Sequence, residues 1–225
     1  MAEGRSSSRA GFRAIIRDFI LPLAVAFAIA FVIQEAMAKP YEIPTGSMIP
    51  TIQENDRILA NRLIYRFRDP RRGDIVVFEP TKEARNACGD TASDVPFVKR
   101  VIAVAGDTVQ VRGHVPYVNG TPFAVRNAVT SRDEDGVRPD FPILPGPKLG
   151  EPVTVPPHSL FVMGDNRPGS CDSRVWPEWN DVLGSLGGAD PETAADIPAA
   201  FVNLDAVIGQ GEIIYWPVTN LTFLR

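Results

Sequence analysis

The chain has 225 residues, of which 44% are hydrophobic, and a formal net charge of -4. This length suits one domain of ordinary size, or one domain with an anchor, and the apolar content is enough for a core. A modest negative charge without a basic, aromatic-interleaved stripe argues against nucleic-acid binding. With two histidines, two cysteines and no HExxH motif, the sequence offers almost nothing for a metal site, and we expect no cofactor.

A basic leader and an apolar run open the sequence. Residues 1–18 contain four arginines and two acidic residues, and an uncharged apolar run from Phe19 to Ile33 follows. The run is short for a membrane-spanning helix, which needs about 17–25 residues. It reaches that length if the residues up to Ala38 lie in the membrane interface. We therefore predict a cytoplasmic leader at 1–18 and one transmembrane helix at 19–38.

A cleaved secretory signal is the alternative interpretation of the same segment. A basic leader, a short apolar stretch and Ala36-Met37-Ala38 as an A-x-A cleavage site all support it. Both interpretations give the same topology, because arginines are retained in the cytoplasm. Everything after residue 40 is then exported.

Short strands are predicted for most of the exported part. The chain has 21 prolines and 18 glycines spread along its length, and brief apolar runs lie between them, which is typical of a mainly β fold with few helices. Residues 176–200 are predicted to form an inserted loop. The run from Ile208 to Trp216 is predicted to be the last strand. Other strand-like runs lie at 74–78, 108–112 and 159–163.

A serine lies on a proline-flanked turn at residues 44–51. Ser47 follows Gly46 directly and stands between Pro44 and Pro50. A tight turn can present a hydroxyl and the adjacent N–H together, as an acyl-transfer nucleophile and its oxyanion hole require. Because Thr-Gly-Ser is also a common turn composition, a purely structural role stays open at this point.

A lysine stands within an apolar strand-like segment at residues 97–104. Since alternate residues of a strand share a face, Lys99 is predicted to point the same way as Phe97 and Val101. Burial would lower the pKa of the amine, and a neutral amine can take a proton from a serine hydroxyl. The alternative is an edge strand whose lysine extends into water.

A dense polar loop follows the apolar run 159–163. Residues 164–174 include Asp172 and Arg174, which are close enough in sequence to pair, and Ser170, whose hydroxyl could bond to a lysine amine. Ordinary solvated turn chemistry is the alternative for this loop.

These stretches together resemble the bacterial type I signal peptidases (leader peptidases), the Ser-Lys proteases of family S26. The family pattern is P-S-G-S-M-x-P-T, G-D-x-V/I-x-V/F, K-R-x-x-x-x-x-G-D and G-D-N-R-x-x-S-x-D-S-R. This chain supplies the four motifs in order, at residues 44–51, 73–78, 99–107 and 164–174. The resemblance covers about residues 13–178 and the C-terminal strand.

The resemblance implies a mainly β fold for an exported catalytic domain at residues 41–225. A signal-peptidase-like core is expected at about 41–107 and 159–225. A second β subdomain is expected to be inserted at about 108–158.

The resemblance also assigns catalytic roles. Ser47 is the expected nucleophile and Lys99 the expected general base, with Ser170 hydrogen-bonding and orienting the lysine amine. In the family, the oxyanion hole comes from the backbone N–H of the nucleophile and the hydroxyl two residues before it. That residue is Thr45 here, where serine is commoner, and its extra methyl group restricts the rotamer.

The remaining roles concern the substrate pocket and the polar loop. Small-residue pockets are expected to be shaped by Ile43, Pro44 and Val98, with Met48 at the membrane-facing edge. Asp172 and Arg174 are expected to form a structural pair that holds the polar loop against the lysine strand.

Two cysteines in an exported chain can pair. Cys88 lies eleven residues before Lys99, and Cys171 follows Ser170 directly. If the lysine strand lies beside the polar loop, a Cys88–Cys171 bridge is within reach, and two free thiols are the alternative.

The resemblance implies a membrane-bound endopeptidase that removes signal peptides from exported preproteins after small residues, through an acyl-enzyme. Its partners would be preprotein signal peptides, the lipid bilayer and, by proximity, the Sec/Tat export machinery. It would cross the bacterial inner membrane once, with its N-terminus in the cytoplasm and its catalytic domain on the periplasmic or outer side. The alternatives are a dedicated maturation protease of a conjugation or pilus system and a non-catalytic membrane-tethered β module.

Overall fold

The computed structural model describes residues 16–27, 37–90, 93–112, 114–125, 128–129, 152–176 and 200–224. The chain divides into two compact units, Met1–Lys39 and Pro40–Arg225. Most of the predicted leader, the central part of the predicted anchor and nearly all of the loop predicted at 176–200 lie outside the described residues.

The described part of the first unit contains a helical segment. Ile16–Ile20 has π-helical hydrogen bonding, and residues 21–27 continue as α-helix with exposed side chains. Across the described residues, we find no helix that combines the length and the apolar character needed to cross a membrane. Residues 28–36 of the predicted 19–38 helix lie outside the described ranges, so the anchor stays a prediction, as does the Ala36-Met37-Ala38 cleavage site.

The second unit is mainly β, which confirms the predicted class. Its one α-helix among the described residues is Lys82–Ala87, which Thr81 caps by accepting a hydrogen bond from the Ala84 N–H. Single 3₁₀ turns occur at Gly46–Met48, Ile64–Arg66, Leu204–Ala206 and Val218–Asn220. The strands are β1 (Ala38–Glu42), β2 (Arg57–Asn61), β3 (Ile75–Phe78), β4 (Phe97–Val104), β5 (Thr108–Arg112), β6 (Val115–Val118), β7 (Thr121–Pro122), β8 (Val153–Thr154), β9 (Ser159–Met163), β10 (Val202–Asn203), β11 (Val207–Trp216) and β12 (Thr222–Phe223).

The larger sheet has the strand order β1-β2-β11-β3-β4-β9-β10, and β12 pairs with β11. The prediction that Ile208–Trp216 is the last strand is wrong, because β12 follows it. Strand β11 is ten residues long and pairs with both β2 and β3, so it lies inside the sheet rather than closing it.

The neighbours of β4 decide where the site forms. Strand β4 pairs antiparallel with β3, where Val76 faces Lys99, and with β9, where Met163 faces Arg100. Because β9 ends at Met163 and leads directly into the polar loop, this pairing brings the loop beside the lysine.

A smaller sheet has the order β7-β6-β5-β8 and is built from residues 108–154. These strands fall within the 108–158 segment expected to be inserted. The two sheets share one apolar core, to which the larger sheet contributes Ile102 and Phe161 and the smaller sheet Val109 and Val118. The smaller sheet is therefore packed against the strands that carry the site.

Candidate active site

Ser47 is the middle residue of the 3₁₀ turn Gly46–Met48. The turn follows directly after Thr45, whose backbone is extended. Two hydrogen bonds from the polar loop fix this turn. The Asn166 backbone N–H donates to the Ser47 carbonyl at 3.1 Å, and the Asn166 side-chain amide donates to the Gly46 carbonyl at 3.0 Å. Ser47 is almost completely buried, so the turn presents its hydroxyl to the protein interior.

Lys99 reaches that hydroxyl from β4. Its Nζ donates a hydrogen bond to Ser47 Oγ at 2.6 Å, and Nζ lies 5.7 Å from the centre of the Phe97 ring on the same strand. The lysine is 5% exposed and its strand lies between β3 and β9. The alternative of an edge-strand lysine extending into water is therefore wrong.

The pKa of Lys99 is lowered from its ordinary value of 10.5 to about 8. Burial is the main cause, because removal from water disfavours the charged amine. The charge of Asp172 opposes this effect by raising the pKa, and the charge of Arg174 lowers it again. An appreciable fraction of Lys99 is therefore neutral near neutral pH, in contact with a serine hydroxyl.

Thr45 places a second hydroxyl beside the serine. Its Oγ1 lies 3.4 Å from Ser47 Oγ. Together with the Ser47 N–H, this hydroxyl is a donor on the same turn as the reactive oxygen, as an oxyanion hole requires.

The polar loop is fixed by a buried ion pair between Asp172 and Arg174. Arg174 Nε and Nη2 each donate to an Asp172 carboxylate oxygen at 2.8 Å. Asp172 also accepts from the Gly164 N–H at 3.0 Å, and Arg174 donates to the Arg167 carbonyl at 2.7 Å. Burial alone would raise the pKa of Asp172, but the Arg174 charge and these hydrogen bonds outweigh it and lower the pKa. The carboxylate therefore stays ionised and holds both ends of the loop.

Ser170 does not make the predicted hydrogen bond to Lys99. Its side chain is buried, and its hydroxyl helps to lower the pKa of Asp172 instead. The hydroxyl also lies against Gly164. A Cβ at residue 164 would stand 2.3 Å from Ser170 Oγ and 2.3 Å from the Ser47 carbonyl oxygen. Only glycine allows this close approach of the loop to the Ser47 turn.

Arg100 and Asp165 form an ion pair that we did not predict. Arg100 Nε and Nη2 donate to the two Asp165 carboxylate oxygens at 2.8 and 2.6 Å, and both side chains are buried. Thr51 Oγ1 also donates to Asp165 at 2.5 Å, and Arg100 Nη1 donates to the Gly73 carbonyl at 2.7 Å. All four sequence motifs therefore meet here. Each of these four residues lies in one of the motifs quoted above, so the sequence did point to them. Their pairing was not predicted, because an ion pair between distant segments leaves no local pattern in the sequence.

A cavity of about 410 Å³ opens beside Ser47 and Lys99. Ile43, Pro44 and Val98 line it, whereas Met48 does not. The expectation that Met48 lies at the membrane-facing edge of the pocket is wrong, because its side chain is fully buried in the core. Successive side chains of a 3₁₀ turn point about 120° apart, so the turn that aims Ser47 at Lys99 directs the next side chain into the core.

The segment before β4 also lines the cavity. Cys88 and Cys171 both line it and form a disulfide with sulfur atoms 2.09 Å apart. The Trp176 indole N–H donates to Cys88 Sγ at 3.3 Å. The other lining residues from this part of the chain are Gly89, Asp90, Ser93, Val95, Pro96 and, at the start of β4, Phe97.

A serine hydroxyl in contact with a desolvated lysine amine, beside an apolar cavity, is the arrangement of a serine-type acyl-transfer site with a lysine base. Comparison with known proteins gives the family. Residues 16–216 match the family model described as signal peptidase, peptidase S26. The chain belongs to this family, which confirms the resemblance found in the sequence, and it is an enzyme, a serine endopeptidase.

Individual relatives agree with the family model. A signal peptidase I from Leptolyngbya laminosa is 31% identical over 206 residues, covering 92% of this chain and 82% of the relative. A probable signal peptidase I-1 from Synechocystis is 36% identical over 161 residues, covering 72% and 74% of the two chains. A crystal structure of a signal peptidase I from Enterococcus faecalis matches with a TM-score of 0.35 and 27% identity, over 63% of this chain and 95% of that one.

Proposed function

We propose that this chain removes N-terminal signal peptides from exported preproteins, cutting after small residues with Ser47 as nucleophile and Lys99 as general base. The observation that carries the proposal is the 2.6 Å contact between Lys99 Nζ and Ser47 Oγ within a buried site. The signal peptidase I relatives support the choice of substrate.

The proposed reaction forms and then hydrolyses an acyl-enzyme. Neutral Lys99 takes the Ser47 proton as Oγ attacks the scissile carbonyl carbon, and the resulting oxyanion accepts hydrogen bonds from the Ser47 N–H and the Thr45 hydroxyl. Collapse of the tetrahedral intermediate breaks the C–N bond, and Lys99 gives its proton to the departing amine. Lys99 then takes a proton from water as it attacks the acyl carbon, and returns this proton to Ser47 Oγ as the acyl C–O bond breaks and the signal peptide is released.

The cavity supports a preference for small side chains at the cleavage site. Ile43, Pro44 and Val98 place apolar groups beside the reactive hydroxyl. A methyl group can be buried against such a surface, whereas a larger side chain in a pocket shaped for alanine loses contacts or clashes. We therefore propose A-x-A type sites.

We also propose that the enzyme is a single-pass protein of the bacterial inner membrane, with its N-terminus in the cytoplasm and its catalytic domain on the outer side. The arginine-rich leader and the apolar run after it support this location. Exposed apolar side chains near the end of the chain, suited to the membrane interface, give further support: Trp216, Val218, Leu221 and Phe223. Confinement at the bilayer would keep the enzyme near membrane-inserted signal peptides and near the Sec/Tat machinery.

Cleavage of model preproteins in detergent micelles tests the catalytic proposal. Ser47→Ala and Lys99→Ala should each lower kcat by at least about 10³-fold, since either change removes the acyl-transfer chemistry. Lys82→Ala, which changes an exposed lysine, is the matched control. Wild-type cleavage by either active-site variant would reject the mechanism. Cleavage of only one member of a panel of unrelated preproteins would instead identify a dedicated maturation protease.

N-terminal sequencing of the purified membrane-extracted protein tests the anchor. Retention of the leader is the expected result. A protein that begins at Lys39 would show a cleaved secretory signal instead.

A further inference from the structure

The disulfide lies at a position where it can act on the substrate cavity. Both of its cysteines line the same cavity as Ser47 and Lys99. It joins residues 83 positions apart in the sequence, connecting the segment before β4 to the polar loop. The disulfide therefore joins two separate parts of the cavity lining.

The Cys171 end is fixed without the disulfide. Cys171 is followed by Asp172, which is held by Arg174 and by the Gly164 N–H. Ser173 Oγ accepts from the Val162 N–H at 3.0 Å, which ties the loop to β9. Breaking the disulfide leaves all of these contacts in place.

The Cys88 end has few hydrogen bonds to the rest of the protein. Among the described residues, the hydrogen bonds of residues 88–90 and 93–95 go to helix Lys82–Ala87 or remain within the segment, except for the one that Cys88 accepts from Trp176. Arg85 in that helix donates to the Ser93 carbonyl at 2.6 Å. The helix itself is held by Ala84, which is buried in the core, and Cys88 packs against the same core cluster. The described residues after Cys88 make their hydrogen bonds to this helix, and the disulfide is their covalent link to the polar loop.

Resting on the proposed function, we propose that the Cys88–Cys171 disulfide is a specificity-determining element that holds the cavity lining of residues 88–90 and 93–96 against the polar loop and so limits the size of the substrate side chain. With the bond intact, the cavity keeps its width beside Val98, and large side chains are rejected. Without it, the lining residues 88–90 and 93–96 can move outward while Ser47 and Lys99 keep their contact, because no group of the dyad depends on them for a hydrogen bond.

Reduction is a balanced two-electron step. An added dithiol or phosphine gives two electrons to the S–S bond, which breaks to form two cysteine thiols. A dithiol supplies the two protons and becomes a disulfide, whereas a phosphine takes an oxygen atom from water, which also supplies the protons, and becomes a phosphine oxide. An oxidising compartment keeps the bond formed.

The test compares preprotein peptides with alanine or leucine at the residue before the cut. Kinetics are measured in micelles for the oxidised wild type, the phosphine-reduced wild type and a Cys88→Ser/Cys171→Ser variant. We expect the ratio of kcat/KM for the alanine peptide to kcat/KM for the leucine peptide to fall at least about tenfold when the disulfide is absent. A change of this size is typical when one contact in a substrate pocket is lost. KM for the alanine peptide should rise several-fold, with kcat within about twofold and the pH midpoint of kcat/KM unchanged.

Two controls keep the result specific to the cavity wall. Reoxidation of the reduced wild type should restore the original ratio, which shows that the chain stayed folded even where the serine variant does not fold. Trp176→Phe removes the indole donor but keeps the disulfide, and it should leave the ratio unchanged.

Three outcomes would overturn the inference. The first is an unchanged alanine-over-leucine ratio after reduction. The second is a fall in kcat and a shifted pH midpoint of kcat/KM while the alanine-over-leucine ratio stays constant. This result would show that the disulfide acts on Lys99 and not on the cavity. The third is two free thiols in the active, non-reduced enzyme by mass spectrometry. Failure of the oxidised wild type to cleave any of the peptides would reject the proposed function and this inference with it, whereas cleavage with unchanged selectivity rejects the inference alone.

Discussion

Replacing Lys99 with methionine should inactivate the enzyme and make it more stable at pH 7. The difference between the ordinary pKa of 10.5 and about 8 in the folded chain corresponds to about 3 kcal/mol of unfavourable burial of the charged amine. Methionine fills a similar volume without a charge. Loss of the hydrogen bond to Ser47 costs about 1 kcal/mol. The variant should therefore be about 2 kcal/mol more stable than the wild type.

The same pKa difference determines how the extra stability of Lys99→Met over the wild type changes with pH. Between pH 8 and 10.5 the unfolded lysine holds its proton while the folded lysine loses it, so wild-type stability rises with pH through this window. The advantage of Lys99→Met should fall across it and disappear by about pH 10. Below pH 8 both states are protonated, and the difference should be constant.

Guanidinium unfolding of the full chain in micelles, followed by tryptophan fluorescence between pH 7 and 10, measures this difference. Lys82→Met is the control, since an exposed lysine should change stability by less than about 0.5 kcal/mol at every pH. A destabilised Lys99→Met variant at pH 7, or a stability difference that does not change with pH, would refute the claim that the amine is buried at a cost.

Three further predictions concern the rate of cleavage. The value of kcat/KM should rise with pH to a plateau above about pH 8, because only neutral Lys99 accepts the Ser47 proton; a flat profile from pH 6 to 9 would contradict this. Thr45→Val should lower kcat about 10²–10³-fold while Thr45→Ser keeps it near wild type, if the hydroxyl stabilises the oxyanion; equal rates for the two variants would exclude that role. Gly164→Ala should reduce kcat strongly, because its Cβ would stand 2.3 Å from the Ser47 carbonyl oxygen. Gly211→Ala, whose Cβ would have neighbours at 3.4 Å or more, is the matched control for an added methyl group. Similar activities of the two variants would show that the Ser47 turn tolerates displacement.

The sequence was sufficient for the class of fold and for the residues that meet at its centre. Strand alternation placed Lys99 on the same face as Phe97, and their side chains do lie together. The resemblance to the family also implied that the lysine strand and the polar loop would come into contact, and β4 does pair with the strand that leads into the loop. Such statements depend on local periodicity and motif order, which a single sequence displays.

Side-chain directions within turns were less predictable. Met48 was expected at the pocket and lies in the core, and Ser170 was expected at Lys99 and lies against Gly164. Both residues are in short irregular segments, where a change of one backbone dihedral redirects the side chain. No periodic pattern in the sequence specifies that direction, so the structure was needed to assign it.

The buried charges around Lys99 explain how the pKa of its amine stays lowered beside two acidic side chains. The charge of Asp172 raises the pKa of Lys99 and would, acting alone, favour the protonated amine. Arg174 is paired with both oxygens of that carboxylate, and its own charge lowers the pKa of Lys99. Asp165 is paired in the same bidentate manner with Arg100. Each of these two carboxylates is thus paired with its own guanidinium, so desolvation remains the largest influence on the pKa of Lys99. The residues that shape the polar loop therefore also keep the proposed base available to Ser47.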